Sequence, residues 1–289
     1  MGKHLVFVSL LSACIVGDGS DDTDELDIDP LAATAKFTVV QHNVEKKLVP
    51  IQNALGVNSA DAITLQEVCP TDVTMLRQKA QQKGWSIAVQ SVPNRGTCEN
   101  ATDPSVVAIW TGGANAVVST VAQLGTTAGK PGQAACLAFT FKKVPTHVCS
   151  VKLISTDQSD GDGAAETIRE TQTRDLKQLA QTWFGGKDEF GVIAGDFNAN
   201  TNQPSIDKLY APQIGGNGDF TEYNRGAGNT RDGKPTAHGD GDVIGKYDKK
   251  IDYVFFSTNR VPINPGPAVV ITPDPSDHDM VVSSALMKK

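Results

Sequence analysis

The chain lacks several things, and each absence excludes something. No segment is long and apolar enough to span a bilayer, because the one apolar run near the start, Leu5 to Ala13, is too short. No Cys-x-x-Cys pair and no Cys/His spacing suited to a metal is present, so the competing reading of the cysteines as a zinc site has no support. There is no basic surplus: 26 Lys and Arg stand against 33 Asp and Glu, a formal net charge of −7. Seven acids (Asp18, Asp21, Asp22, Asp24, Glu25, Asp27, Asp29) and one base, Lys3, put −6 of that on residues 1–35, leaving −1 on the rest. A near-neutral body does not grip a polyanion through charge alone. No internal repeat is present.

What is there divides into three parts. Residues 1–14 read as an export signal: a short polar start, then the apolar run. Leu11-Ser12-Ala13-Cys14 resembles a bacterial lipoprotein box, so Cys14 is a candidate lipid anchor; a plain secretory peptide is the alternative. Residues 15–35 are acidic and Gly/Ser-rich, as a solvated tether would be. Residues 36–289 have the mixed composition of one large domain, expected to be a monomer. Besides Cys14, four cysteines remain. An even number in an exported chain favours two disulfides, with three connectivities possible. Our expectation is Cys69–Cys98 and Cys136–Cys149, the second joining strands Ala135–Phe141 and His147–Leu153 across a Lys142–Thr146 turn.

Short apolar runs alternate with helical patterns. Phe37–Val40, Ala62–Leu65, Ser86–Gln90, Val106–Trp110, Ala116–Leu124, Cys136–Phe141, Val148–Ile154, Val192–Ala194, Ile251–Ser257, Val269–Ile271 and Met280–Met287 read as strands. Val49–Leu55, Thr71–Lys83 (with Val73, Leu76 and Ala80 on one face and Gly84 as a stop) and Ala164–Phe184 read as helices. Residues 201–248 are loop-rich. Adjacent strands without a helix between them imply antiparallel pairing, and two such sheets packed face to face with helices outside make an α/β sandwich.

Polar residues recur where apolar strands end. Asn43, Glu67 and Asp196 with Asn198 follow such strands, Asp252 lies inside Ile251–Phe255, and Asp277 with His278 precedes Met280. A strand end holds a side chain rigidly, as catalysis requires. Gathered carboxylates are expensive to desolvate unless a hard cation or a proton compensates them. Oxygen ligands, with the imidazole left for proton work, indicate Mg²⁺ first, with Mn²⁺ or Ca²⁺ as alternatives, rather than zinc.

His42-Asn43-Val44, Leu65-Gln66-Glu67-Val68, Gly195-Asp196-Phe197-Asn198, Ile251-Asp252-Tyr253 and Ser276-Asp277-His278 run in the order found in the endonuclease/exonuclease/phosphatase (DNase I-like) superfamily, which the sequence resembles over residues 37–289. The resemblance implies a four-layer α/β sandwich, with two packed mixed or antiparallel sheets flanked by helices, and metal-dependent phosphoester hydrolysis. It implies that Glu67 binds the metal with Asn43 beside it and Asp277 assisting. It makes Asp196 the group that orients or deprotonates water, Asn198 a holder of phosphate oxygen, and His278 a phosphate contact or proton shuttle oriented by Asp252.

The sequence departs from the family at one place. The strand before the long helix usually ends in a Thr-His-Leu-like motif, and here Lys152 stands at the histidine position, with His147 at the wrong end of the strand. A lysine there can stabilise phosphate charge but is a poor base near neutral pH. Arg169 is a further candidate for substrate phosphate, against the alternative of a helix-surface arginine. Asp157–Gly163 reads as an acidic solvated loop, and Lys246, Lys249 and Lys250 as a solvated loop near a substrate path. Nucleic acid is the expected substrate. The alternatives are a lipid or small-molecule phosphodiester (sphingomyelinase-like) and a non-catalytic binding domain. Ala114–Gly132 carries no aromatic cluster of the sort that would insert into a membrane.

Overall fold

The computed structural model describes residues 34–92, 98–113, 118–125, 131–155, 161–186, 188–226, 230–238, 248–264, 266–272 and 275–289. The export signal, its Cys14, the tether up to residue 33 and Lys246 lie outside the described residues. Among the described residues, twelve strands form two sheets of six. The first sheet runs β11 (Ala268–Ile271), β12 (Met280–Lys288), β1 (Thr34–Asn43), β2 (Ala62–Val68), β4 (Ser105–Trp110), β3 (Ser86–Ser91). The second runs β5 (Val118–Leu124), β6 (Gly132–Phe141), β7 (Val144–Lys152), β8 (Phe190–Asp196), β10 (Asp252–Ser257), β9 (Phe220–Glu222). Pairing is antiparallel except at β1–β2 and β7–β8, each at the middle of its sheet. Parallel neighbours end on the same side, so Asn43 and Glu67 in one sheet and Lys152 and Asp196 in the other are delivered in pairs.

The layers follow from the two faces of each sheet. The inner faces meet in one core. Phe37 packs edge-on against Phe190 with ring centroids 5.4 Å apart, and Trp110 stacks on Phe139 at 4.2 Å. A fully buried Phe contributes about 1.5–3 kcal/mol. The outer face of the first sheet is covered by α1 (Leu48–Leu55) and α2 (Pro70–Lys83) through Ile51, Val73 and Leu76. That of the second is covered by α3 (Gly161–Phe184) through Leu176 and Ala180. Helix, sheet, sheet, helix is a four-layer α/β sandwich, in agreement with the sequence. Gly84 ends α2 at φ +66, a left-handed cap that costs a residue without Cβ little.

Some boundaries differ from the expectation. The acidic stretch 157–163 runs into a helix: residues 156–160 lie outside the described residues, and Gly161–Gly163 open α3. The β6–β7 turn is tighter than Lys142–Thr146, because Lys142 and Lys143 both take positive φ (48 and 74). Two such residues make the turn whose twist matches a hairpin. The structure joins Cys69 to Cys98, and Cys136 to Cys149, directly opposite in that hairpin. Among the described residues no helix is long and apolar enough to cross a membrane.

Candidate active site

Backbone irregularity aims the first carboxylate. The β2–β4 register breaks between Leu65 and Val68, and Glu67 takes φ 57. A bulge turns a side chain away from its alternating face, and a non-glycine residue in the left-handed region costs free energy that the surroundings must supply. Glu67 Oε1 accepts from Asn43 Nδ2 at 3.3 Å and lies 2.8 Å from Lys152 Nζ, while Oε2 lies 3.0 Å from Lys46 Nζ. Burial would raise this carboxyl's pKa. The two ammonium groups outweigh burial and hold it well below the ordinary range.

In the second sheet, register produces a row. Asp196 on β8 lies opposite Lys152 on β7 and opposite Asp252 on β10. Gly195 lets β7 come this close, since a Cβ there would meet Val151 O at 2.0 Å. Asp196 Oδ2 accepts from Lys152 Nζ at 2.5 Å and from Asn43 Nδ2 at 2.9 Å, and Oδ1 accepts from the Asn198 amide at 2.8 Å. Asn198 takes φ 51, with Nδ2 donating to Leu153 O at 3.0 Å. For Lys152, burial opposes the charge. Asp196 and Glu67 overcome it and raise the pKa above the ordinary lysine value.

His278 arrives from the loop before β12. Ser276 Oγ donates to Asn43 O and accepts the His278 amide, which pins the loop to the end of β1. The imidazole Nδ1 lies 2.8 Å from Asp252 Oδ2, and Nε2 lies 3.8 Å from Asp196 Oδ2 and from Asp277 Oδ1. Burial disfavours the imidazolium, but Asp252 and then Asp196 raise its pKa to about 10. These two carboxylates thus favour the charged form of the ring. Asp277 is different: burial raises its pKa, His278 lowers it, and Glu45 and Glu67 raise it again. Its Oδ1 is buried without a hydrogen-bond partner.

These groups open into a cleft of about 310 Å³ lined by Glu67, Lys152, Asn198, Asp277 and His278, with Lys46 at its edge. The ligand atoms of Asp196, Asp252 and His278 lie within 4.8 Å of one another, a group able by donor type to hold a metal ion. However, Asp252 already binds His278 and accepts from Thr236 at 2.8 Å and Gln41 at 3.0 Å. Glu67 and Asp277 line the cleft, and Asp277 Oδ1, which makes no hydrogen bond, lies 3.8 Å from His278 Nε2. The oxygen donors present thus fit a hard divalent ion.

Arg169 is not among the cleft-lining residues. Rather than lying on the helix surface it is buried, donating to Glu166 Oε2 at 3.0 Å and to Ile154 O. Lys250, read as a solvated-loop lysine, is also buried and pairs with Glu222 at 2.7 Å. Sequence reasoning missed the layer beneath the site. Gln41 bridges Gln66 and Asp252, Gln66 donates to Ser150, Ser150 donates to Leu65 O, and Thr236 receives the Asp252 amide. Gln41 and Gln66 were detectable as amides inside otherwise apolar strands. Thr236 carried no signal.

The family model described as "Endonuclease/Exonuclease/phosphatase family" matches residues 40–278. No curated protein matches. Among solved structures, the catalytic domain of human nocturnin with bound sulfate superposes with a TM-score of 0.63 at 16% identity, over 89% of this chain and 97% of that one. TDP2 of D. rerio complexed with a single-strand DNA product gives 0.61 at 14%, over 87% and 99%. Sphingomyelinase C of Streptomyces griseocarneus gives 0.61 at 15%, over 87% and 99%. At such identities the likeness concerns the fold.

Proposed function

The chain belongs to the endonuclease/exonuclease/phosphatase family, and on that premise we propose that it is an exported, metal-dependent phosphodiesterase whose substrate is nucleic acid. The observation that carries the reading is that Glu67, Asp277 and His278 line one cleft with Lys152 and Asn198, while Asp196 and Asp252 are buried behind His278 within 3.8 Å and 2.8 Å of its ring nitrogens. A nuclease needs such a set, because a phosphodiester under in-line attack gathers negative charge that must be met by fixed positive charge. A divalent ion held by Glu67, Asn43 and Asp277 would supply Lewis acidity there.

The chain's own residues do the rest. Asp252 holds His278 in one orientation and keeps it charged, so that Nε2 faces the cleft as a cation for a phosphoryl oxygen and a proton donor to the leaving oxygen. Asn198 has one amide proton left after Leu153 O and offers it to a phosphate oxygen. Asp196 orients the attacking water. Lys152 adds a fixed positive charge at the floor. Residues 1–14 export the chain, with Cys14 lipidated if the lipoprotein box is used, and 15–35 tether the catalytic domain. Two disulfides accord with an oxidising compartment.

Incubating plasmid DNA with the purified domain and Mg²⁺ or Mn²⁺, beside an Asp196→Ala/His278→Ala control, tests the reading. Nicking above the control is expected. Its absence under every metal overturns the nuclease assignment, and parallel arms with sphingomyelin and an aryl phosphodiester report the other substrate classes.

A further inference from the structure

Every oxygen of Glu67 and Asp196 is already engaged by protein. Lys152 Nζ sits 2.5 Å from Asp196 Oδ2 and 2.8 Å from Glu67 Oε1, and Lys46 Nζ covers the other Glu67 oxygen at 3.0 Å. Among the described carboxylates that line the cleft, Asp277 keeps a buried oxygen that makes no hydrogen bond and has His278 Nε2 at 3.8 Å. The two lysines are not equivalent. The Lys46 side chain is 31% exposed and can swing into water, whereas that of Lys152 is 13% exposed and sits between the two sheets.

We propose that Lys152 is a resident cation of the site: its ammonium takes part of the carboxylate charge that a divalent ion would otherwise collect, so the protein binds one divalent ion weakly, at the Glu67–Asp277 side, with Lys152 setting the affinity. The inference rests on the proposed function only for the location of the ion. Lys152 cannot retreat cheaply, since Glu67 and Asp196 would be left as buried uncompensated charges. It also cannot share Glu67 with an ion at no cost, because two cations on one carboxylate repel in a medium less polar than water. An imidazole at this position can become neutral and donate a proton without holding the place of a cation. An ammonium between two carboxylates is a permanent one.

Calorimetric titration of Mg²⁺, Mn²⁺ and Ca²⁺ into the unmodified protein and into Lys152→Met, Lys152→Gln and Lys152→His tests this, with melting temperature measured alongside. All three replacements should bind the ions at least about ten-fold more tightly than the parent. They should melt lower without metal and recover with it. Lys46→Met should change affinity by less than about three-fold, because an exposed charge is screened. A variant that folds only when metal is present supports the proposal. Unchanged or weaker binding in the Gln and His variants overturns it, and so does an equal gain from Lys46→Met. DNA cleavage is read separately: tighter metal binding with no cleavage leaves this inference standing while the nuclease reading falls, and cleavage with unchanged affinity does the reverse.

Discussion

Lys152 and Lys250 are both sunk in the protein, and burial acts on both in the same direction, yet they end on opposite sides of the ordinary lysine value. Lys250 Nζ meets one carboxylate, Glu222, at 2.7 Å, together with the carbonyls of Asn224 and Arg231; burial wins and its pKa is lowered. Lys152 meets two carboxylates, and they win. The difference lies in what each cluster is built to hold. Around Lys250 the Glu222 carboxylate also faces Arg225, and Tyr210 and backbone carbonyls close the shell. Around Lys152 the carboxylates outnumber the cations that can neutralise them, two residues sit at positive φ, and one side opens to a cleft. A buried ion pair therefore does not mark a site. A surplus of one sign beside an opening does.

The comparison breaks most visibly if activity depends on the closed cluster. His278→Gln should lower kcat/KM for DNA by about 10³-fold, the range for losing a positioned acid, and should also lower the urea midpoint at neutral pH, because Asp252 loses its buried counter-ion. Lys250→Met should leave kcat unchanged and cost about 3–5 kcal/mol of stability by stranding Glu222; adding Glu222→Gln should recover most of it. An active-site loss in Lys250→Met at full stability would show that the closed cluster is not merely structural. A smaller effect is expected from Cys69→Ser/Cys98→Ser. Opening the 29-residue loop should cost about 3–4 kcal/mol in a chain-entropy treatment. KM should also rise, because Cys69 lies two residues beyond Glu67.

How far these clusters were legible in the sequence follows the same division. Strands that run apolar and then turn polar announce where a side chain is held, so Asn43, Glu67 and Asp196 stood out at their ends, while Asp252 and His278 stood out as polar residues at or just before the start of apolar strands. Val73, Leu76 and Ala80 announced the buried face of α2 through their spacing, and all three are buried. Lys250 and Arg169 did not stand out, because charged residues in loops and helices are usually exposed, and only tertiary contacts reveal that Glu222 and Glu166 are waiting for them. Lys152 was noticed as a departure, but its partners lie 44 residues away on β8 and across the other sheet. No local pattern encodes a contact between sheets.

Strand β7 gives the finest test, since five residues before Lys152 it carries a half-buried base whose neutral form is favoured. His147 lies against Trp183, with ring centroids 5.9 Å apart, and 3.6 Å from the Glu189 carboxylate. Burial lowers its pKa to about 4 from 6.5. A group whose folded-state pKa is depressed in this way takes its proton first in the unfolded chain as the solution is acidified. Its effect on stability is therefore nil above pH 6.5, and between 6.5 and 4 stability falls as pH falls. The full shift is discounted to about 2 kcal/mol, because the ring keeps a wet edge and Glu189 favours the charged form. His278 has the opposite sign: with a pKa raised to about 10, its contribution is complete below 6.5 and disappears as pH rises toward 10, so it is constant across the acid window. Urea unfolding of the parent and of His147→Gln at steps from pH 7.5 to 4 isolates the term as the difference between the curves. The difference should grow steadily below pH 6.5. A flat difference would mean that Glu189 holds this imidazole as a cation, so that β7 would carry a second positive charge besides Lys152.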